Sequence, residues 1–293
     1  MNLLTILLVS LGAGGAYFVA LWAIDIIKNK NNLGKENPII GFIIGFVTDF
    51  FDTLGIGSFA PTTMLMQVTR FLKNDKLIPG TLNVSHTIPV LTEAFIFLAA
   101  VEVEGVTLFS MVIAAIIGAI IGARFVNKLP EKQIQIIMGI CLLVTAGLMI
   151  AGQFGLIAGL GTGTAIGLTG VKLVIGVVVN FVLGALMMAG VGLYAPCMAT
   201  VYMLGLNPLV AFPIMMASCA GLMAIGSPEF IKAGNYTRIG SLAITVGGIL
   251  GVYVAATFVK KMDLKVLTWV IIVVVIFTAI SMLRKGLKNK VEV

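Results

Sequence analysis

An eight-residue pattern occurs twice in the apolar part of this chain and restricts its possible folds more than any other feature. Residues 54–61 read LGIGSFAP, and residues 189–196 read AGVGLYAP. Each copy places two glycines and a proline within seven residues, which is unfavourable in the interior of a helix. The sequence therefore predicts a duplicated unit, with one break in an otherwise helical segment in each half.

The composition indicates a membrane protein built from helices. Hydrophobic residues make up 59% of the chain and charged residues 11%, with a mean hydropathy of +1.13, whereas soluble domains carry about 25% charged residues. Apolar runs such as 266–282 do not alternate polar and apolar residues as β-barrel strands do. We expect an all-α polytopic membrane protein. Its broken segments should be buried in protein or line a cavity, because unpaired backbone is costly in hydrocarbon.

The basic residues are concentrated in short segments, and the formal net charge is +7. Sixteen of the nineteen Lys and Arg residues lie in five clusters: 28–35, 70–76, 124–132, 260–265 and 284–290. Such clusters are typical of loops and tails at the cytoplasmic face of a membrane protein, and they give no reason to expect nucleic-acid binding. Residues 28–37 and 124–132 are therefore predicted to be cytoplasmic. Residues 101–106, which contain Glu102 and Glu104, are predicted to be external.

The predicted organisation is an extra N-terminal helix followed by two homologous repeats. Residues 1–28 are mostly apolar and lack a basic start and a cleavage site, so we expect a retained transmembrane helix rather than a signal peptide. The first repeat covers residues 38–152 and the second covers residues 173–284. A glycine-rich connecting segment, 153–172, separates them, and its sequence does not decide whether it crosses the membrane.

The break in the first repeat favours a re-entrant hairpin. A straight helix over residues 39–68 would be about 45 Å long, against about 30 Å of hydrocarbon. Basic clusters flank this segment on both sides, so both of its ends are expected on the cytoplasmic side. In the second half, charge permits either side for the C-terminal tail. We favour a cytoplasmic tail, because it makes the repeats antiparallel, and inverted repeats are common in transporters.

Each repeat also contains a helix face with small residues. Gly118 and Gly122 in the first repeat correspond to Gly247 and Gly251 in the second. Glycines four residues apart allow two helix backbones to approach closely. We therefore predict close helix contacts at both pairs.

The two breaks and their flanking glycines resemble those of the TauE/SafE sulfite exporter family, also called the TSUP family. The first copy has Gly41 and Gly45 ahead of residues 54–61, and the second has Gly184 ahead of residues 189–196. The resemblance extends over about residues 38–283. It implies transport of small anions, chiefly sulfite, sulfonates and related organosulfur compounds.

From the two breaks and this resemblance together, we expect the substrate site to lie between the two Gly-x-Gly segments. A helix that starts at a break presents free N–H groups and a positive dipole end, which hold an anion without a full positive charge. Gly57 and Gly192 suit a positive φ and a close approach of a ligand to the backbone. The residues expected to bind substrate are Gly55, Gly57, Ser58, Pro61, Thr62, Asn83, Gly190, Gly192, Tyr194 and Pro196.

Four ionisable residues inside apolar segments are candidates for a coupling site. Asp49 and Asp52 share one helix face, as do His86 and Glu93. At the positions of the two aspartates, the family usually has small or weakly polar residues. Charges are costly at membrane depth, so these residues favour coupling of transport to protons or Na⁺. Simpler interpretations remain open: the aspartates cap helices or pair with lysines near the cytoplasmic end, and His86 is a hydrogen-bonded structural residue.

The cysteines and a few isolated basic residues give weaker indications. Cys141, Cys197 and Cys219 show no pairing pattern, so no disulfide is expected. Cys197 or Cys219 would contact a sulfur-containing substrate in one interpretation, but membrane cysteines more often pack as small residues. Three basic residues near apolar segments are expected at the cytosolic or headgroup level, with an anion pathway as the alternative: Arg124, Lys172 and Arg238.

The favoured function is secondary transport of a small anion by an exporter or permease in the cell membrane, a prokaryotic plasma membrane being expected. Its partners would be the anion, the lipid bilayer and possible coupling protons or Na⁺; no cofactor, metal or nucleic acid is implied. An intramembrane enzyme is the less favoured alternative, because no GxGD motif accompanies the aspartates and no HExxH surrounds the histidine. A channel is a third option. Substrate identity, direction of transport and oligomeric state are left open by the sequence.

Overall fold

The computed structural model describes residues 3–156, 163–258 and 264–288. Within these ranges the chain is helical, and apart from one isolated bridge between Ala165 and Leu206 it contains no β-structure. The all-α class predicted from the composition is confirmed. The helices are α1 Leu3–Lys28, α2 Pro38–Thr53, α3 Phe59–Val68, α4 Ile78–Ala100, α5 Gly105–Val126, α6 Glu131–Gln153, α7 Gly170–Met188, α8 Tyr194–Met203, α9 Ala211–Ala233, α10 Arg238–Phe258 and α11 Leu264–Lys288.

In the described part of the chain, seven helical segments are long and apolar enough to cross a membrane. They are Leu3–Lys28, Asp75–Ala100, Gly105–Val126, Glu131–Gln153, Gly170–Met188, Ala211–Ala233 and Arg238–Thr257. Helix α9 is the most buried of them and α4 the next. These two helices pack against each other and form the centre of the bundle.

Local capping explains where helix α2 begins. Asn37 precedes Pro38, and its side-chain oxygen accepts hydrogen bonds from the N–H groups of Ile39 at 2.9 Å and Ile40 at 3.4 Å. Such a cap satisfies donors that have no partner inside the helix, and proline is favoured at the first helical position. Helix α2 therefore starts directly after the polar linker that follows α1.

Both Gly-x-Gly segments interrupt a helix. Helix α2 ends at Thr53 and α3 begins at Phe59, with Gly55 at φ +82° and Gly57 at φ +93° between them. Only glycine adopts such left-handed values at low cost. Helix α7 ends at Met188 and α8 begins at Tyr194, with Gly190 at φ +89°. Gly192 has no φ in this region, so the expectation of a positive φ at both central glycines is wrong for Gly192.

Helices of the first half of the chain pack mainly against helices of the second half. Helix α10 packs mainly against α2, and α5 packs mainly against α7. A Cβ on Gly118 would lie 2.0 Å from the backbone oxygen of Phe181, and a Cβ on Gly247 would lie 2.0 Å from that of Phe42. The close helix contacts predicted from the glycine pairs are therefore present in both halves.

Four of the basic clusters lie at one end of the bundle, which we call the first end. Lys285, near the end of α11, forms an ion pair with Asp75 at 2.8 Å. The side chain of Asn235 donates a hydrogen bond to Asn127 Oδ1 at 2.9 Å. The segments that meet at the first end are 29–37, 69–77, 127–130, 234–237 and the C-terminal turns of α11.

The opposite end, which we call the second end, contains the acidic loop between α4 and α5. The N–H of Glu104 donates to the backbone oxygen of Ile166 at 2.9 Å, and that of Asn207 donates to Ala165 at 2.8 Å. Residues 163–169 form no helix, whereas 157–162, within the segment whose crossing was left open, lie outside the described residues. Most of the basic cluster 260–265 also lies outside them.

Candidate functional site

The two helix breaks touch each other in the middle of the bundle. A Cβ on Gly57 would lie 3.9 Å from the Cβ of Tyr194, and a Cβ on Gly192 would lie 3.9 Å from the Cβ of Phe59. Each break thus lies against the first residue of the short helix that follows the other break. We call this contact between residues 54–59 and 189–194 the crossing.

Two small cavities adjoin the crossing. They have volumes of about 20 Å³ and about 10 Å³, which is room for about one or two water molecules. The crossing thus encloses little space, and we call this arrangement, in which the two breaks are in contact, the closed form. Gly57, Phe59, Gly192 and Tyr194 line both cavities. The first cavity also contacts Ile56, Ala60, Pro61, Leu142, Thr145, Met149, Ala195 and Val275, and the second Asp52, Ser58, Val90, Met187, Leu193 and Cys219.

The N-termini of α3 and α8 both point into this region. Helix α3 starts at Phe59 and α8 starts at Tyr194, and both residues line the two cavities. The N–H groups of the first turn of a helix have no partner within that helix. A small anion at the crossing would therefore face two positive helix ends.

A buried histidine–aspartate contact lies beside the crossing. His86 Nδ1 is 2.7 Å from Asp49 Oδ1, and both side chains are fully buried. His86 Nε2 lies 3.1 Å from the hydroxyl of Thr62 on α3. One histidine on α4 thus contacts both helices that flank the first break.

Two more buried carboxyl groups complete a polar cluster, formed by Asp49, Asp52, His86, Glu93 and Tyr194. Tyr194 Oη lies 3.0 Å from Glu93 Oε2 and 3.4 Å from Asp52 Oδ2. Ser58 lies beside the carboxyl group of Asp52, and the two residues line the same cavity. The cluster joins α2 and α4 to the N-terminus of α8, so it connects the two breaks.

The structure brings only part of the predicted substrate site to the cavities. Gly57, Ser58, Pro61, Gly192 and Tyr194 line a cavity wall, and Thr62 reaches the site through His86. Four predicted residues do not line either cavity: Gly55, Asn83, Gly190 and Pro196.

Three of these four residues make other contacts in the structure. Gly55 packs against Phe212, and Gly190 packs against Met138. The side chain of Asn83 donates hydrogen bonds to the backbone oxygens of Pro79 at 2.9 Å and Met187 at 3.2 Å. Asn83 therefore ties α4 to the end of α7 and does not face the crossing.

Asp49 and Asp52 are 0% and 2% exposed, and among the described residues their side-chain contacts are with His86 and Tyr194 instead of a lysine. Their burial favours the coupling interpretation over pairing with lysines at the cytoplasmic end. The isolated basic residues lie elsewhere. Arg124 is exposed near Glu229, Lys172 bonds the backbone of Leu204, and Arg238 forms a bidentate ion pair with Asp25. None of these three basic residues faces the crossing.

The cysteines form no disulfide, as expected. Cys219 lines the smaller cavity, and its sulfur lies 3.5 Å from the sulfur of Met187. Cys197 is fully buried and does not line either cavity. Cys219 is therefore the thiol nearest the crossing.

Sequence reasoning missed two residues that shape the polar cluster. Gly248 on α10 lies against Asp49, and a Cβ there would be 2.1 Å from Asp49 Oδ2. Phe59 packs against Gly192 and lies 5.9 Å from His86, measured between ring centroids. Phe59 occupies the same position as Tyr194 in the repeated pattern, so the repeat could have identified it as a site residue. No pattern in the sequence identifies Gly248.

Over the described ranges, no three His, Cys, Asp or Glu side chains are grouped so that they could hold a metal ion. Searches of curated proteins and of solved structures returned no match. A family model described as Sulfite exporter TauE/SafE matches residues 2–149. Members of this family are membrane transporters, in agreement with the seven apolar helices. Because the match covers half of the chain, this protein belongs to the TauE/SafE sulfite exporter family.

Proposed function

We propose that the protein is a secondary transporter of a small oxyanion, most directly sulfite or a sulfonate, and that the anion binds at the crossing. The observation that carries the proposal is the reciprocal contact of Gly57 with Tyr194 and of Gly192 with Phe59. Paired interrupted helices near the middle of an apolar chain are the usual place for a transporter substrate site.

The proposal includes two re-entrant hairpins of opposite orientation. The start of α2 and the end of α3 lie together at the first end, where Asn37 and Phe71 line one shared cavity. The start of α7 and the end of α8 lie together at the second end, where Lys172 Nζ is 3.0 Å from the backbone oxygen of Leu204. Hairpins that enter from opposite sides support the inverted repeat expected from the sequence.

At the crossing, the chain would hold the anion mainly with backbone N–H groups. The first turns of α3 and α8 supply these donors, and Ser58 and Tyr194 add hydroxyl groups. Gly57 and Gly192 leave the approach free of side chains. Charge-assisted hydrogen bonds of this type bring an anion within about 2.7–2.9 Å of the donor nitrogen. Such a site does not require a lysine or arginine.

Alternating access would follow from opening the crossing toward one end at a time. We assign the first end to the cytoplasm, because the basic clusters at 28–35, 70–76 and 124–132 lie there. The acidic loop 101–106 is then external, and the C-terminal tail is cytoplasmic. This orientation is the one expected for a cell-membrane exporter or permease.

A second candidate is a cation-coupled transporter of another small solute. It is favoured by the buried carboxyl groups of Asp49, Asp52 and Glu93, which are unusual beside an anion site. In either case we assign coupling, by protons or Na⁺, to these three residues and His86. The two candidates differ in substrate charge.

A ligand screen followed by transport tests the proposal. Purified protein is heated with sulfite, sulfate, thiosulfate, methanesulfonate, small carboxylates and neutral solutes, because a ligand of the folded state raises its apparent stability. Vesicles containing the protein should then exchange radiolabelled sulfite saturably and leave it chemically unchanged. Stabilisation by neutral solutes only, with no sulfite exchange, would support the second candidate. Chemical conversion of sulfite would indicate an enzyme.

A further inference from the structure

The hydroxyl group of Thr53 lies within hydrogen-bond distance of two oxygen atoms but carries only one hydrogen. Thr53 Oγ1 lies 2.9 Å from the backbone oxygen of Asp49 and 2.8 Å from Glu93 Oε1. A threonine hydroxyl has one hydrogen to donate, and a backbone oxygen has none. If Thr53 donates to the Asp49 carbonyl, the contact with Glu93 is completed by a hydrogen on the Glu93 carboxyl group.

The hydroxyl group of Tyr194 likewise has one hydrogen for two neighbouring oxygen atoms. It contacts Glu93 Oε2 at 3.0 Å and Asp52 Oδ2 at 3.4 Å, again with one hydrogen for two oxygen atoms. If Tyr194 donates to Glu93, the contact with Asp52 is completed by a hydrogen on Asp52. The four contacts close into one directional chain, Asp52 to Tyr194 to Glu93 to Thr53 to the Asp49 carbonyl, when both carboxyl groups are protonated.

We propose that Asp52 and Glu93 each bind a proton in the closed form, and that these protons cross the membrane together with the anion, in the same direction. This inference rests on the proposed anion transport. It assigns the coupling ion, which the proposed function leaves as proton or Na⁺, and it moves Tyr194 from a substrate donor to the residue that closes the proton site.

Electrostatics determine the direction of coupling. Asp52 and Ser58 line the cavity at the crossing together with Tyr194. An ionised Asp52 would repel an anion across a few ångströms of poorly solvated protein, where screening is weak. Protonation removes this repulsion, so the site accepts anion and proton together. Symport follows, whereas exchange of a proton for an anion would require the ionised form to bind the anion.

The same geometry argues against Na⁺. A bound metal cation such as Na⁺ needs several oxygen ligands that converge on one point, as the oxygen ligands of Ca²⁺ and Mg²⁺ do. Here the carboxyl groups of Glu93 and Asp52 lie beside Thr53, Tyr194 and Ser58, and one carboxylate oxygen of the cluster, Asp49 Oδ2, is buried without a hydrogen-bond partner. The carboxyl groups are spread along a hydrogen-bond chain instead of surrounding a cavity.

The titratable groups that face this chain come from four helices. Helix α2 contributes Asp49 and Asp52, α4 contributes His86 and Glu93, α8 contributes Tyr194, and α9 contributes Cys219, which interacts in turn with Cys197. On α3 the facing polar groups are hydroxyls, and on α10 the facing residue is Gly248. His86 is positioned to balance the charge of Asp49, which leaves Asp52 and Glu93 as the proton carriers.

Tyr194 also explains how the proton and anion sites move together. It is the first residue of α8, it lies against Gly57, and its hydroxyl touches both carboxyl groups. Any motion that separates the two breaks to release the anion withdraws Tyr194 from Asp52 and Glu93. The carboxyl groups then lose their shared partner at the moment when the pathway opens to water.

The test uses radiolabelled sulfite and the full chain in vesicles, with the membrane potential clamped. In the wild-type protein, an acidic external solution should drive sulfite accumulation, by about tenfold per pH unit for each coupled proton. In Glu93→Gln and in Asp52→Asn, the equilibrium accumulation of sulfite should each time be lower by about tenfold per pH unit, because each variant lacks one of the two proton carriers. The protonation of sulfite itself is the same in every experiment, so a difference in accumulation between variants must arise from the protein. Glu102→Gln, an exposed acid of the external loop, is the matched control and should behave like wild type.

A second measurement needs no variant. A pH-sensitive dye inside wild-type vesicles should report acidification when sulfite is added outside at equal pH, beyond that of protein-free vesicles. Equal gradient responses in wild type and both variants, or accumulation driven by an alkaline exterior, would overturn the proton assignment while leaving anion transport intact. Absence of sulfite exchange by the wild-type protein would contradict the proposed function and the coupling together.

Discussion

The hydroxyl of Tyr194 lies 3.0 Å from Oε2 of Glu93, although 101 positions separate the two residues in the chain. This contact joins the N-terminus of α8 to the middle of α4 across the point where the two helix breaks meet. It places three buried carboxyl groups directly beside the proposed anion site. Coupled transport of an anion and protons through this protein would depend on this proximity.

Close packing at Gly118 is predicted to be essential for stability. Alanine is about 1 kcal/mol more favourable than glycine in a helix interior, but a Cβ on Gly118 would lie 2.0 Å from the backbone oxygen of Phe181. Overpacking of this kind costs about 1–3 kcal/mol. Gly118→Ala should therefore lower the midpoint of thermal unfolding in detergent. In Gly147→Ala on α6, the added Cβ meets nothing within 4 Å, so this variant should have an unchanged or higher midpoint of thermal unfolding. Equal midpoints for both variants would contradict the close contact.

Glu104 should stabilise the fold in a pH-dependent way. Partial burial raises the pKa of Glu104, but hydrogen bonds from Thr107 and the amide of Val106 outweigh it and lower the pKa overall. Because the folded-state pKa is below the unfolded one, the stabilisation is present above the unfolded value and disappears as the pH falls through the folded value. Glu104→Ala should cost about 0.5–2 kcal/mol at neutral pH. Unfolding midpoints that differ from wild type equally in acid and at neutral pH would argue against this role.

Gly248 is predicted to hold the Asp49 side chain in place. A Cβ at this position would lie 2.1 Å from Asp49 Oδ2, so Gly248→Ala should displace Asp49 from His86 and slow sulfite transport. Residues in contact show non-additive effects in double-mutant cycles. In the background of Asp49→Ala, the same glycine change should therefore have little further effect on the transport rate. Additive losses would indicate that Gly248 acts through another contact.

The proposed orientation predicts which loops are reachable from outside. A membrane-impermeant thiol reagent should label Glu102→Cys in intact cells and should label Lys30→Cys only after the membrane is permeabilised. The expectation follows from the basic clusters of the first end and the acidic loop of the second. Labelling of position 30 in intact cells, with position 102 protected, would reverse the orientation.

Local sequence features predicted much of the helical framework. Apolar runs indicated the helices, and the paired glycine faces predicted the contacts of Gly118 and Gly247 because backbone approach depends on local side-chain size. The two interruptions were expected where glycines and a proline are concentrated. Each of these features depends on residues that are close together in the chain, so it can be recognised from the sequence alone.

The candidate site was only partly predictable, because it depends on contacts between distant segments. Asp49, Asp52, His86 and Glu93 were identifiable as costly charges in apolar segments, but their contact with Tyr194 requires the two breaks to cross. Asn83 was predicted to bind substrate, and its side chain also donates to the backbone of Met187, a contact that the local sequence does not reveal. Gly192 looked equivalent to Gly57, yet its backbone φ differs. The repeated pattern specifies residue types, whereas these roles depend on which neighbour each residue meets.

The affinity of purified Gly192→Ala for sulfite, normalised to its folded fraction, tests the central claim that the anion binds at the crossing. Gly192 lines both cavities, lacks a left-handed φ, and an added Cβ would meet only Phe59 Cβ, at 3.9 Å. The variant should therefore fold normally while its new methyl group occupies the anion space. Gly152→Ala, where nothing lies within 4 Å, is the matched control. We predict weaker sulfite binding by Gly192→Ala and wild-type binding by Gly152→Ala. Equal affinities in the two variants would mean that the anion does not bind at the crossing.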